Sequence, residues 1–312
     1  MNSLTVQNRT DLQTSSIVSS EMFSKWTDFV EGTEKTVSTY TRAIRQFHEW
    51  AVENNIQRPT KGDIKAYRDY LSEEHKPATV ALYLTAVKRF YAWAEEEGLT
   101  ENIAKNVKQP KLSTEHKKDY LSTNQVKRLL NSIDRGTLTG KRDYALISLM
   151  VTTGMRTIEI VRADIADLRT MGDSTILNYQ GKGRSEKAEF KKIAPAVEDA
   201  LRDYLTARGK ADPTEALFTS TAHRNSGERM TTRSISRIVK DRLIDAGFDS
   251  DRLTAHSLRH TTATQALLNG ISLEETSQLL GHKNLTTTMI YNHALNRANS
   301  KAESTIASAI FG

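Results

Sequence analysis

The sequence predicts a mainly α protein in two parts: an N-terminal helical domain, then a C-terminal mixed α/β domain, mostly helix with one small β-sheet or hairpin. Three observations carry that prediction. Apolar residues recur at spacings of three and four through most of the chain, the stripe of a helix packed on one side. One lysine-rich stretch with little apolar content, residues 105–120, reads as a linker. Only one segment, around residues 175–193, has the β-prone composition and central turn of paired strands.

The elements follow in order. Residues 1–19, rich in Ser, Thr, Asn and Gln, read as a flexible arm. Val37, Tyr40, Ile44, Phe47 and Trp50 then mark one helix face. Thr60 is placed to cap a helix, with Asp63 at its third position and Ile64, Tyr67 and Leu71 as its apolar side. After Pro77, Val80, Leu84, Val87, Phe90, Tyr91 and Ala94 form a longer stripe that Gly98 stops. Residues 20–104 therefore form a bundle of about four helices. After the linker, Ser122 and Gln125 make a capping box, and the apolar helix around Ala145–Val151 ends at Gly154. Thr175–Tyr179 and Ala188–Ile193 are strands joined through the turn Gly181-Lys182-Gly183-Arg184. The second domain spans residues 121–297, and a tail, 298–312, carries Ala302, Ile306, Ala309, Ile310 and Phe311 in a short apolar pattern.

Composition removes several classes of function. The 312 residues contain no cysteine, which excludes a disulfide scaffold, a thiolate nucleophile, Cys-ligated zinc and an iron–sulfur cluster. No window approaches the ~18 apolar residues that a membrane span requires. The polar start lacks the basic and apolar regions of a signal peptide, so a soluble, cytoplasmic protein is expected. The net charge is +6. Most of it falls in residues 119–312, with 27 basic against 22 acidic side chains, a modest pointer to a polyanionic partner for that part.

Reactive side chains concentrate in four stretches of the second domain. In Thr153–Ile160, Arg156 and Glu159 lie three apart, the spacing of neighbours on a helix. Lys182 stands between two glycines at a hairpin tip. In Thr254–His260, His256 and Arg259 share a helical face, and His260 is four residues from His256. That spacing raises a metal site, but Ser257 occupies the position of the glutamate in HExxH, so no metal is expected. Leu279-Leu-Gly-His282 is followed nine residues on by Tyr291. Each stretch alone has an ordinary reading: a surface ion pair, a solvated turn, a packed histidine, a packed tyrosine. Together they supply what phosphodiester transfer without a metal needs. Arginine forks clamp the charged non-bridging oxygens, a tyrosine can form a covalent phosphoester, and a lysine can protonate a leaving oxygen.

The ordered run TGMR-x-x-E, GKG in a hairpin, HSLRH, LGH and a tyrosine nine residues later resembles the tyrosine recombinase (phage integrase-like) family over residues 120–295. The preceding helical domain resembles that family's SAM-like core-binding domain, and the overall layout is that of its compact Xer-like and mobile-element members. The resemblance implies roles for particular residues. Arg156 and Arg259 would bind the scissile phosphate, and His282 would hydrogen-bond a non-bridging oxygen. Lys182 would protonate the 5′ leaving oxygen, with Lys187 as the alternative on the same hairpin. His256 would take the proton of Tyr291, which would attack. Glu159 would orient Arg156. No cofactor is implied. The implied partners are double-stranded DNA bearing a specific site, a homo-tetramer assembled on two such sites and, in some members, an accessory DNA-bending factor. Phosphate contacts are expected from Lys88, Arg89, Lys105, Lys108, Lys111, Lys117 and Lys118, and from Arg233, Arg237 and Lys240. The arm of about 20 residues is shorter than a separate arm-binding domain. The apolar tail would dock on a neighbouring protomer or fold back on its own domain. Two other functions share parts of this signature: DNA relaxation of the type IB topoisomerase kind, and DNA binding by a recombinase-derived protein without catalysis.

Overall fold

The computed structural model describes residues 20–111, 119–181, 184, 186–282, 284–289, 291 and 301–311. The expected arm, Lys117, Lys118 and Lys182 lie outside the described residues. The chain divides into two compact units, Met1–Thr114 and Glu115–Gly312.

The first unit contains α1 (Ser20–Phe29), α2 (Glu34–Glu53), α3 (Lys61–Glu74) and α4 (Pro77–Glu96). Its starts are written in the sequence. Thr33 accepts the Thr36 N–H, and the Thr60 N–H donates to Asp63 Oδ2 at 2.7 Å, satisfying donors that a helix N-terminus leaves open. Pro77 occupies the first turn of α4, where no N–H is needed. The predicted stripes meet in one core of Trp26, Ile44, Phe47, Tyr67, Leu71, Leu84, Val87 and Phe90. Edge-on ring pairs such as Phe47–Tyr67, 5.0 Å apart, add to the apolar burial. The expected linker starts too early at residue 105. Val107 is buried in this core beside Ala104, so the chain leaves the unit only after it. The lysines on either side hid one apolar anchor.

The second unit begins with α5 (Thr123–Asn131), opened by the Ser122/Gln125 capping box. Then come α6 (Leu138–Thr153) and the short α7 (Thr157–Val161). A three-stranded antiparallel sheet follows: β1 (Leu168–Met171), β2 (Ser174–Tyr179) and β3 (Glu189–Lys192), in that order. β1 was not anticipated. Its residues are mostly exposed, so no apolar alternation marks it, and only the tight turn at Gly172 (φ +57°) betrays the hairpin. After the sheet come α8 (Pro195–Arg208), α9 (Thr232–Asp245), α10 (Ala255–Leu268), α11 (Leu273–Leu280) and α12 (Ala302–Phe311), with residues 286–289 also helical.

α6 is buried almost all round and packs on α8 and α10, so it is the axis of this unit. Near its start, buried Asp143 accepts hydrogen bonds from Arg142 and from Arg242 on α9, so a single buried carboxylate is shared by two guanidinium groups. α12 is different. Ile306, Ile310 and Phe311 are all exposed, the last by 87%, so its apolar side is not folded onto its own unit. Among the described residues, no helix is long and apolar enough to cross a membrane.

Candidate active site

The site is assembled at helix ends. α6 closes at Gly154, in the left-handed conformation (φ +63°) that glycine adopts without strain. Two residues later Arg156 is the N-cap of α7, and Glu159 is the third residue of that helix. The pair is therefore not two neighbours on a helix face but a cap. The Arg156 N–H donates to Glu159 Oε2 at 2.8 Å, and Arg156 Nη1 donates to Oε1 at 2.7 Å. Glu159 is 1% exposed, whereas the Arg156 side chain keeps about 29% of its surface open.

Arg259, on α10, is 2% exposed. Its Nη1 donates to the Gly154 carbonyl at 2.6 Å and its Nη2 to the Leu280 carbonyl at 2.8 Å. One guanidinium thus joins the C-terminal ends of α6 and α11, where carbonyls lack helical partners. Burial, and then the like charge of Arg156, push the Arg259 pKa down to about 10, with Glu159 opposing; it remains a cation at neutral pH.

Leu280 ends α11, Gly281 turns the chain at φ +65°, and His282 follows. A 2.8 Å hydrogen bond joins His282 Nδ1 to Thr288 Oγ1. Burial and the charges of Arg259, Arg156, Lys191 and His256 hold the imidazole pKa down at about 4, so the ring is neutral at pH 7. Tyr291 lies parallel to that ring at 6.4 Å between centroids, and edge-on to His260 at 4.6 Å. The tyrosine is 4% exposed. Burial raises its pKa while Arg259 and Arg156 pull it down, the burial effect being larger. His256 is exposed in the first turn of α10.

Arg156, Glu159, Arg259, His256, His282 and Tyr291 are thus brought together. Lys182 cannot be placed, but its alternative can: Lys187 Nζ lies 2.5 Å from carboxylate oxygens of both Asp164 and Asp167. Burial works to lower its pKa and is outweighed by the two carboxylates, which hold the ammonium above its ordinary range. A lysine tied in this way is a poor proton donor, which removes Lys187 from the candidates.

Sequence reasoning missed Lys191. Its Nζ donates to the Leu279 carbonyl and lies 5.1 Å from the Tyr179 ring centre. Strand parity was the available signal. Residues 189, 191 and 193 share one face of β3, and Ile193 is plainly a core residue, so Lys191 points inward and Phe190 outward. His260, read as a packed histidine, is packed: its ring also stacks on Tyr120 at 6.0 Å.

The candidate phosphate contacts are scattered. Lys105, Lys108, Lys111, Arg233 and Arg237 are exposed. Arg237 lines a concavity of about 410 Å³ with Arg224, His223 and Ser234. Lys88 is half-buried, and Arg89 sits over the Tyr40 ring at 5.5 Å. Lys240 is occupied instead, donating to the Ser250 carbonyl at 2.9 Å and to Asp249 at 3.3 Å, because that loop passes beside α9. Among the described residues, no cluster of three His, Asp or Glu is arranged to hold a metal ion.

Comparison with known proteins places the chain in a family. The phage integrase family matches residues 119–297, and the phage integrase N-terminal SAM-like domain matches residues 29–98. Tyrosine recombinase XerC of Herpetosiphon aurantiacus is 31% identical over 277 residues, 85% of this chain and 86% of that protein. Tyrosine recombinase XerD of Vibrio cholerae serotype O1 is 28% identical over 271 residues, 83% of this chain and 86% of that protein. A XerC of Caldanaerobacter subterraneus is 33% identical over 198 residues, but there the chain spans only 52% of the relative's own length. Among solved structures, the XerH recombinase bound to palindromic difH substrate superposes with a TM-score of 0.69 at 23% identity, over 86% of this chain and 80% of that one. A lambda integrase dimer (residues 75–356) bound to a COC′ core site gives 0.64 at 17% identity, over 86% and 96%. These two likenesses are of fold. With a family match over more than half of its length, and a relative 31% identical over most of it, the chain belongs to the phage integrase family and is a site-specific tyrosine recombinase.

Proposed function

We propose that this recombinase cuts and rejoins double-stranded DNA at a specific site through a 3′-phosphotyrosyl intermediate. In that reading Tyr291 Oη attacks the scissile phosphorus in line and the bond to the 5′ oxygen breaks. His256 accepts the phenolic proton, and Lys182 supplies the proton of the free 5′-hydroxyl. Arg156 and Arg259 hold the non-bridging oxygens, whose negative charge grows in the transition state. His282 is neutral; in the tautomer that accepts from Thr288 at Nδ1, its Nε2–H is left to hydrogen-bond a phosphate oxygen. Reversal by a 5′-hydroxyl from a second duplex rejoins the strands and passes through a Holliday junction. The ester keeps the bond energy, so the scheme calls for no ATP, and fixed cations do the work of a metal.

The observation that carries this reading is the position of the Tyr291 phenol, parallel to His282 and within the field of two arginines that favour its anion. Phosphate grip along the DNA is assigned to Lys88, Arg89, Lys105, Lys108, Lys111, Arg233 and Arg237, and should weaken steeply with salt. Assembly is assigned to α12. Its exposed Ile306, Ile310 and Phe311 suit docking on a neighbouring copy, a head-to-tail contact that closes into a ring of four on two sites. A lambda integrase tetramer has been solved on a Holliday junction. The protein would act in the cytoplasm, on the chromosome or on a mobile element.

A suicide substrate tests the chemistry. Nicked duplexes made from the DNA flanking the gene are incubated with the protein in EDTA without ATP, then run on denaturing gels. A protein–DNA adduct is expected from the wild type and not from Tyr291→Phe. An adduct in both proteins would overturn the assignment of the nucleophile.

A further inference from the structure

Lys191 is 5% exposed, an unusual place for an ammonium group. Taking such a charge out of water costs several kcal/mol, and an apolar side chain of similar length would fill the same space at less cost. Nor is its company wholly favourable. Arg259 on α10 and Arg156 at the start of α7 repel it, while Glu159 on α7 and Glu189 on its own strand attract it. The Tyr179 ring of β2 covers one side.

What Lys191 holds gives the charge a purpose. Its Nζ donates to the Leu279 carbonyl, while Arg259 takes the next carbonyl, that of Leu280. Both are orphan acceptors at the negative end of α11, where cations are favoured. The chain then turns through Gly281, which is pressed against the sheet: a Cβ there would lie 3.0 Å from the Tyr179 hydroxyl. That hydroxyl in turn donates to Glu189 at 2.6 Å. The next residue is His282. β3 begins only two residues before Lys191, at Glu189. One ammonium group therefore bridges β3 and the turn that presents the histidine.

We propose that Lys191 is a positioning residue for strand cleavage, tying β3 to the end of α11 so that His282 keeps its place about the arginine pair. The inference rests on the recombinase reading of this site. Burial, chiefly, pushes the Lys191 pKa down to about 8, so the tie should loosen as pH rises through that value.

The experiment measures adduct formation by the full chain on the suicide substrate, from about pH 6 to about pH 10, for wild type, Lys191→Arg and Lys191→Met. The wild-type rate should fall as pH rises through about 8. Lys191→Arg should keep most of the neutral-pH rate and move the fall to higher pH, because guanidinium stays charged. Lys191→Met should cleave about 10- to 100-fold more slowly, with its melting temperature and non-covalent DNA affinity unchanged. Adding Lys191→Met to His282→Ala should cost nothing further, since the two act through one turn. A wild-type rate in Lys191→Met would overturn the proposal, as would an additive double mutant. An unmoved fall in Lys191→Arg would do so too, since it would assign the titration to Lys182. If Lys191→Met does not fold, the arginine variant still decides. Absence of any adduct from the wild type would count against the recombinase reading itself.

Discussion

Replacing Glu159 by glutamine removes one buried negative charge from among three cations and leaves the shape of the side chain intact. Glu159 accepts two hydrogen bonds, one from the Arg156 guanidinium and one from the Arg156 N–H, each on its own oxygen. A glutamine has one acceptor oxygen, so its amide NH₂ must face one of those donors. One charge-assisted hydrogen bond, worth about 1.5–3 kcal/mol, is lost and the other becomes neutral. Breaking a buried pair costs about 3–5 kcal/mol, and the partial exposure of Arg156 places this case near the lower end. A loss of about 3 kcal/mol corresponds to a melting temperature about 6–12 °C lower for a domain of this size. Thermal melting of the two proteins side by side measures it. A scissile phosphate would bring back a negative charge, so target DNA should raise the variant's melting temperature more than the wild type's. Adduct formation should slow about 10- to 100-fold, because Arg156 loses the group that aims it. The reasoning is refuted if the variant melts within about 1 °C of the wild type, or if DNA stabilises both equally.

Gly154→Ala should destabilise by about 1–2 kcal/mol from left-handed strain alone, and by more because its Cβ would lie 2.6 Å from Leu280 Cδ2. Melting and adduct formation should fall together, since Arg259 bonds to the Gly154 carbonyl, and a wild-type melt would contradict this account. His282 titrates at about 4 in the fold against 6.5 ordinarily. Between those values an unfolded chain binds a proton that the folded one does not, so stability should decline as pH drops from about 6.5 to about 4. His282→Asn should flatten that part of the pH–melting curve, and an unchanged slope would point to other groups. Asp143→Asn should cost about 3–5 kcal/mol by denaturant titration, because it strips the shared carboxylate from Arg142 and Arg242; a loss under about 1 kcal/mol would mean that the pair is screened. Deleting residues 301–312 should spare binding to a single site and weaken synapsis of two, measured by native gels; unchanged recombination by the shortened chain would sink the docking role of α12.

Much of this molecule was legible where local chemistry decides structure. The Thr60/Asp63 and Ser122/Gln125 boxes, Pro77 and Gly154 mark helix ends because an N–H or carbonyl needs a partner there whatever the tertiary fold. Ordered spacing pointed to six reactive side chains that the fold brings together from three separate stretches. What was illegible depended on three-dimensional company. Arg156 and Glu159 looked like a helix-face pair because the sequence does not say that α7 starts at Arg156 itself. Lys191 was passed over inside a strand, although strand parity puts it inside and Lys192 outside. Nothing in α9 alone shows that Lys240 also bonds to Asp249 and Ser250 in the loop beside it. β1 stayed hidden because its partner on one edge is enough to hold it, and its outward faces need no apolar residues.

The cover over Tyr291 bears on how long such a protein stays usable. A phenol with about 4% of its surface open meets nitrating oxidants, stray electrophiles and modifying enzymes slowly. The proposed attacking group is thereby shielded from chemical ageing while no DNA is bound.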